Sequence, residues 1–148
     1  MGLKAADMVL FGLVAAIPLG SSALAQAVNY TRLQAVGTKP VQLTYHASAH
    51  KDCTPAALPT IKVTSPPQDG LLIVRKGELA TNKISGCGRV QLPVQVVLYQ
   101  AKEHYVGPDH VCYEVTSENG EVTTYDITVK VDSAPTPTAP ASKPETKI

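Results

Sequence analysis

Apolar and polar residues alternate through much of the middle of this chain with a period of two, not the 3.6 of a helix. Val41, Leu43 and Tyr45 are interleaved with Gln42 and Thr44. Val111, Tyr113 and Val115 are interleaved with Cys112 and Glu114. Tyr125, Ile127, Val129 and Val131 share one face of a stretch whose other face carries Asp126, Thr128 and Lys130. A half-buried strand needs this spacing, because successive side chains leave opposite faces of a sheet. Thr60–Val63, Leu71–Val74 and Val94–Tyr99 add strand-forming segments without clean alternation. The continuous apolar run Leu71-Leu72-Ile73-Val74 reads as a strand covered on both faces. Ala27–Leu33 is expected to form a first strand at a sheet edge. After residue 26 no stretch keeps a helical period for three turns.

Turn residues separate these segments. Ser65-Pro66-Pro67-Gln68-Asp69-Gly70 combines ring-fixed φ with a glycine that lets the chain reverse. Asn119-Gly120 stands where a tight hairpin needs positive φ. About seven strands within about 100 residues define an all-β domain, an antiparallel β-sandwich or barrel.

The two ends follow different rules. Lys4 opens a short polar start, the apolar run Met8–Ile17 follows, and Ala23-Leu24-Ala25 closes an A-x-A pattern. This is the anatomy of a secretory signal peptide over residues 1–25, with cleavage expected after Ala25. Met8 to Leu19 is short of the roughly 20 residues that span a bilayer, so no stable membrane insertion is expected after cleavage. Residues 133–148 hold four prolines and almost no large apolar side chain, the composition of an extended, solvated tail. A folded domain over residues 26–132 remains.

Composition narrows the function. The chain has 148 residues, 13 Lys plus Arg against 12 Asp plus Glu, and a net charge of +1. That balance lacks the field of a nucleic-acid binder. Aromatics are 5% with no Trp, poor material for an aromatic-lined cofactor pocket. No cofactor is expected. Residues 26–102 carry 9 basic and 3 acidic side chains, whereas 103–132 carry 1 and 7, which suggests cross-strand ion pairs.

Tyr99, Tyr105, Gly107, Asp109, Val111, Tyr113, Val115 and Gly120, followed by the Ile127–Val131 strand, resemble the C-terminal half of bacterial immunoglobulin-like and cadherin-like repeats. The resemblance covers about a third of the domain, with Gln100-Ala101 in place of the usual proline step. It implies an Ig-like sandwich of about seven strands. The Asp109–Tyr113–Val115 spacing is also similar to a tyrosine corner, in which the Tyr hydroxyl bonds nearby backbone. Val115 stands at the position of the second cysteine of antibody domains, so their inter-sheet disulfide is not expected. Farther upstream, Cys53, Pro55, Pro59, Pro66-Pro67 and Gly86-Cys87-Gly88 resemble small exported proteins of uncharacterised role from Gram-negative bacteria.

Three cysteines allow three single pairings. Cys53 and Cys87 both sit in Pro/Gly/Ser-rich loops, where geometry adapts, and this context favours Cys53–Cys87. Cys112 is expected to leave the strand face opposite Val111 and Tyr113 and to pack under a loop, with a reactive thiol or a dimer link as alternatives. His46, His50, His104 and His110 lack the spacing of a metal site. Asp109 invites a calcium reading with Glu103 and Glu114; the simpler expectation is a carboxylate that caps a loop entering its strand. No nucleophile elbow, phosphate loop or paired carboxylates are present.

The expectation is therefore an exported, non-enzymatic binding or interaction module in the periplasm or secreted, whose partner is an unknown protein or envelope component. Sandwich domains carry function on end loops and sheet edges. The Lys51–Thr60 loop with the Ser85–Arg89 segment is the expected surface, Lys51 and Arg89 supplying its charges. A structural envelope protein spaced by its tail, and a small periplasmic metal or redox protein, are the alternatives.

Overall fold

The computed structural model describes residues 26–137. Seven strands form in it: β1 (Ala27–Val36), β2 (Val41–His46), β3 (Thr60–Ser65), β4 (Gly70–Thr81), β5 (Val90–Ala101), β6 (Gly107–Thr116) and β7 (Val122–Asp132). They make two sheets, one ordered β1-β7-β6-β3 and the other β2-β5-β4. The protein is all-β, two sheets packed as a sandwich. Among the described residues no helix is long and apolar enough to cross a membrane. The expected signal peptide lies outside the described residues, as does most of the expected tail; residues 133–137 are irregular and exposed.

One pairing is not antiparallel. β1 runs parallel to β7 over ten residues, from Ala27 opposite Thr123 to Val36 opposite Asp132. A parallel pair cannot be closed by a tight turn. The first and last strands satisfy that condition, since the whole domain connects them. In a constant-type immunoglobulin sandwich the first strand joins the second, fifth and fourth. In this protein the first strand pairs with the seventh, in the four-stranded sheet.

The core lies between the sheets. Val111, Tyr113, Ile127, Val129 and Val131 point in from β6 and β7, and Val97, Tyr99 and Ala101 from β5. Burying a side chain of this class stabilises by roughly 1.5–3 kcal/mol, so the period-two faces of β5, β6 and β7 carry most of the folding free energy. Gly70 is fixed by packing: a Cβ there would meet the Tyr99 ring at 2.4 Å.

Three strand expectations need correction. Tyr45 was expected on the same face as Val41 and Leu43, yet it is 55% exposed. The β2–β5 register shifts between Gln42 and Thr44. This bulge lets Leu43 and Thr44 both serve the core, and the alternation after it is inverted. Leu71–Val74 is not covered on both faces. Successive residues of β4 leave opposite faces of the three-stranded sheet, so Leu72 packs on the core while Leu71, on the other face, is 61% exposed. At Asn119-Gly120 only Gly120 has positive φ, 83°. The Gly120 N–H donates to Ser117 O, and the Ser117 N–H donates to Glu121 O, a turn one residue longer than the two-residue hairpin.

The charge asymmetry does not resolve into cross-strand Lys/Arg–carboxylate pairs either. Among the described residues the one such pair, Lys130–Asp132, lies within β7. Arg75 and Lys76 are in β4, in the other sheet from Asp126 in β7; Lys62 of β3 does stand opposite Glu114 of β6, but the two are not within ion-pair distance.

Candidate functional site

β2, β4 and β6 run the same way, so the loops that follow them gather at one end of the sandwich: residues 47–59, 82–89 and 117–121. The first loop is itself ordered. Ala49 and Pro55 form a β-bridge, the Ala56 N–H donates to Ser48 O and the His50 N–H to Thr54 O. Asp52 accepts from the backbone N–H and the hydroxyl of Thr54, which holds its carboxyl below the usual range. Cys53, at the tip, adopts the left-handed φ of 66°.

A disulfide joins Cys53 to Cys87, with Cα atoms 5.7 Å apart, and so staples the first loop to the second. Glu118 ties the third loop in. Its Oε2 accepts from the Ala57 N–H at 3.3 Å and lies 3.5 Å from His50 Nε2. Between the first and third loops opens a cleft of about 390 Å³, whose polar lining includes His46, Ser48, Ser117, Glu121 and Tyr125. A second groove of about 370 Å³ lies beside it, between exposed Tyr45 and the segment holding Lys83 and Arg89.

The expected surface is thus present in part. The disulfide brings the Lys51–Thr60 and Ser85–Arg89 segments together, and Lys51 and Arg89 are both exposed. Arg89 lines the second groove, whereas Lys51 lines neither. Tyr45, Glu118 and Tyr125 were not singled out from sequence. The β2 bulge that turns Tyr45 outward has no marker in the local pattern.

A bonded chain runs from the core to the cleft. The Tyr113 hydroxyl is 2.7 Å from Thr44 Oγ1, which is 3.0 Å from His46 Nε2. Tyr125 stacks on Tyr113 with centroids 5.3 Å apart and meets the His46 ring edge-on at the same separation. Burial pushes the Tyr113 hydroxyl up to about 12, with the Thr44 hydrogen bond pulling the other way. The expected tyrosine corner is therefore corrected: the Tyr113 hydroxyl crosses to a side chain of the other sheet and does not return to nearby backbone. The bulge that turns Thr44 inward supplies that partner. It is Tyr105 that donates to a backbone carbonyl three residues on, that of Pro108. Tyr113→Phe should cost about 1–1.5 kcal/mol. Chemical denaturation of a double-mutant cycle with Thr44→Val should return a coupling energy; additive losses would contradict the bond.

Desolvation lowers the His46 pKa below 6.5, because a half-buried imidazole resists charging. Between the folded value and 6.5 the unfolded chain binds more protons, so this contribution is complete above about pH 6.5 and is lost as pH falls below it. Urea midpoints should drop from about pH 7 to about pH 5, and His46→Gln should reduce that drop. An unchanged slope in the variant would refute the assignment.

Asp109 sits at the opposite end and is 6% exposed. Its Oδ1 accepts from the N–H groups of Gln68 (3.0 Å) and His110 (2.9 Å), and its Oδ2 from Asp69 N–H (3.0 Å) and Tyr99 Oη (2.9 Å). The carboxylate caps the β3–β4 loop. Burial, and then the Asp109 hydrogen bond, raise the Tyr99 pKa far above 10. The capping expectation fits this geometry, although the loop held is the one before β4. Glu103 and Glu114 are not among its partners.

The other candidate groups are dispersed. His110 Nε2 is 2.8 Å from Asp126 Oδ1 on the outer face of the four-stranded sheet. Cys112 is the free cysteine. It leaves the face opposite Val111 and Tyr113, as expected, and lies half-buried there, across from Ser65 and Asp126. Among the described residues no three His, Cys, Asp or Glu side chains come together in a manner that could hold a metal ion. No protein-family model matches this chain. No curated protein matches it either.

Proposed function

We propose that this protein is an exported, non-enzymatic binding module of immunoglobulin-like build, which engages a protein or envelope component through the loop end of its sandwich. The observation that carries the reading is the stapled loop pair. A disulfide links residues 47–59 to 82–89 beside an open cleft and a groove bearing Tyr45 and Arg89. A loop surface fixed before contact loses less entropy on binding, and that is the use to which sandwich folds put their end loops. The disulfide also supports an oxidising compartment, in keeping with the expected signal peptide. Cys53 and Cys87 are committed to that bond and His46 to Thr44, which weighs against the metal or redox alternative.

The test is capture of partners from an envelope extract by the wild-type protein and by Tyr45→Ala, Lys51→Ala and Arg89→Ala variants. A partner retained by the wild type and lost with Tyr45 or Arg89 supports the reading. A partner held equally by all three variants removes the loop end from the account. Turnover of a substrate by the purified protein would defeat the larger proposal.

A further inference from the structure

We propose that two copies of this chain pair through β4, antiparallel about a twofold axis at Gly77, joining two three-stranded sheets into one of six strands. This surface lies outside the loop end and does not depend on it.

β4 is a twelve-residue edge strand. Its register with β5 runs unbroken from Gly70 opposite Ala101 to Thr81 opposite Val90. The backbone groups that face away from β5 pair with no strand among the described residues. Such an edge is a template for another strand unless it is short, bulged or carries proline. β2 and β3 have those defences: each is six residues long with a register shift. β4 has none of the three; charge, a further way to guard an edge, is present as Arg75, Lys76 and Glu78. β1 is also unbroken, but its only charge is Arg32, with no acid to meet it.

The charges on β4 select the register. Identical antiparallel strands in one sheet are related by a twofold axis perpendicular to it, so one residue must face its own copy. An axis at Arg75, Lys76 or Glu78 sets like charges against each other, which opposes pairing. An axis at Val74 gives a ladder as long as one at Gly77 but leaves Lys76 opposite Leu72 and Glu78 opposite Gly70, and axes farther out shorten the ladder. At Gly77, Lys76 faces the partner's Glu78 and Glu78 faces the partner's Lys76. Both lie on the same face of the strand, both are exposed, and neither is in an ion pair among the described residues. The Gln91 Nε2 donates to Glu78 Oε2 at 2.6 Å and so orients the carboxylate. The ladder then runs from Ile73 to Thr81, and Arg75 extends its stem beside the partner's Leu79.

Gly77 is the independent observation. It is not among the glycines of positive φ, and a Cβ there would make only ordinary contact with Val94 at 3.6 Å. Nothing inside the fold demands glycine at the middle of this strand, where it weakens a sheet. On the axis, where a residue must face its own copy, glycine sets no pair of identical side chains against each other.

Sedimentation equilibrium of the purified protein between about 10 and 500 µM should show a monomer–dimer equilibrium, as for a small interface of micromolar affinity. Lys76→Glu or Glu78→Lys alone should weaken it roughly tenfold or more, since two attractive pairs become two repulsive ones. The double exchange Lys76→Glu/Glu78→Lys should restore it. Denaturation midpoints confirm that each variant is folded. Amide exchange should slow with concentration within residues 73–81. A monomer throughout would mean that Lys76 and Glu78 only guard the edge, and it overturns the proposal. So would single variants that dimerise like the wild type, a folded double variant that does not, or protection that appears elsewhere.

Discussion

Asp109→Ala should destabilise the domain by about 3–4 kcal/mol, read as a shift in urea midpoint without a change in fold. Four donors converge on this carboxylate: three backbone N–H groups and the Tyr99 hydroxyl. Each buried donor left without an acceptor costs about 1–3 kcal/mol, but the Gln68 and Asp69 amides belong to a surface loop and can turn toward water. The Tyr99 hydroxyl is not free to do so, because its ring lies fully buried against Gly70. Tyr99→Phe removes one of the four bonds and should cost about 1 kcal/mol, with Asp109 keeping its three amides. A loss for Asp109→Ala no greater than that for Tyr99→Phe would show that the loop does not depend on the carboxylate.

The same residue illustrates how much of the structure is legible in the sequence. A carboxylate at a strand entry, beside a turn rich in Pro and Gly, announces a cap. Which loop it caps depends on β3 reaching β6 across the sheet, a long-range pairing with no local signal. Strand positions were legible from period two wherever one face is buried, as in β6 and β7. They failed where a bulge changed the phase, at Leu43–Thr44, and where a continuous apolar run proved to be covered on one face alone, at Leu71–Val74. Both failures concern partners, which local pattern does not encode. The parallel β1–β7 pairing is of the same kind. Of the candidate site, the disulfide was legible because both cysteines stood in loop sequence. Tyr45 and the His46–Thr44–Tyr113 chain were not, since they arise from the bulge.

Removing the disulfide should have an effect of similar size and a different distribution. The bond closes 34 positions of sequence, so the chain-entropy model assigns it about 3–4 kcal/mol. A domain of this size has about 5–15 kcal/mol in total, so the loss takes a large share of it. Two features modulate the value. Cys53 sits in the left-handed region at φ 66°, a conformation that costs a non-glycine residue free energy and that reduction would relieve. Against this, the 47–59 loop keeps its own hydrogen bonds and its tie to Glu118, so it retains some order when the staple is cut. The double variant Cys53→Ser/Cys87→Ser is the suitable probe, since a single change leaves an unpaired thiol beside the groove. It should lower the denaturation midpoint as far as reductant lowers that of the wild type. Amide exchange should quicken first in residues 47–59 and 82–89, while β6 and β7, which hold most of the buried side chains, change only with global stability. Binding at the loop end should weaken more than stability alone accounts for, because the two loops would then be ordered at the moment of contact. A double variant with the wild-type midpoint and wild-type exchange in both loops would show that the bond neither braces the domain nor shapes its surface.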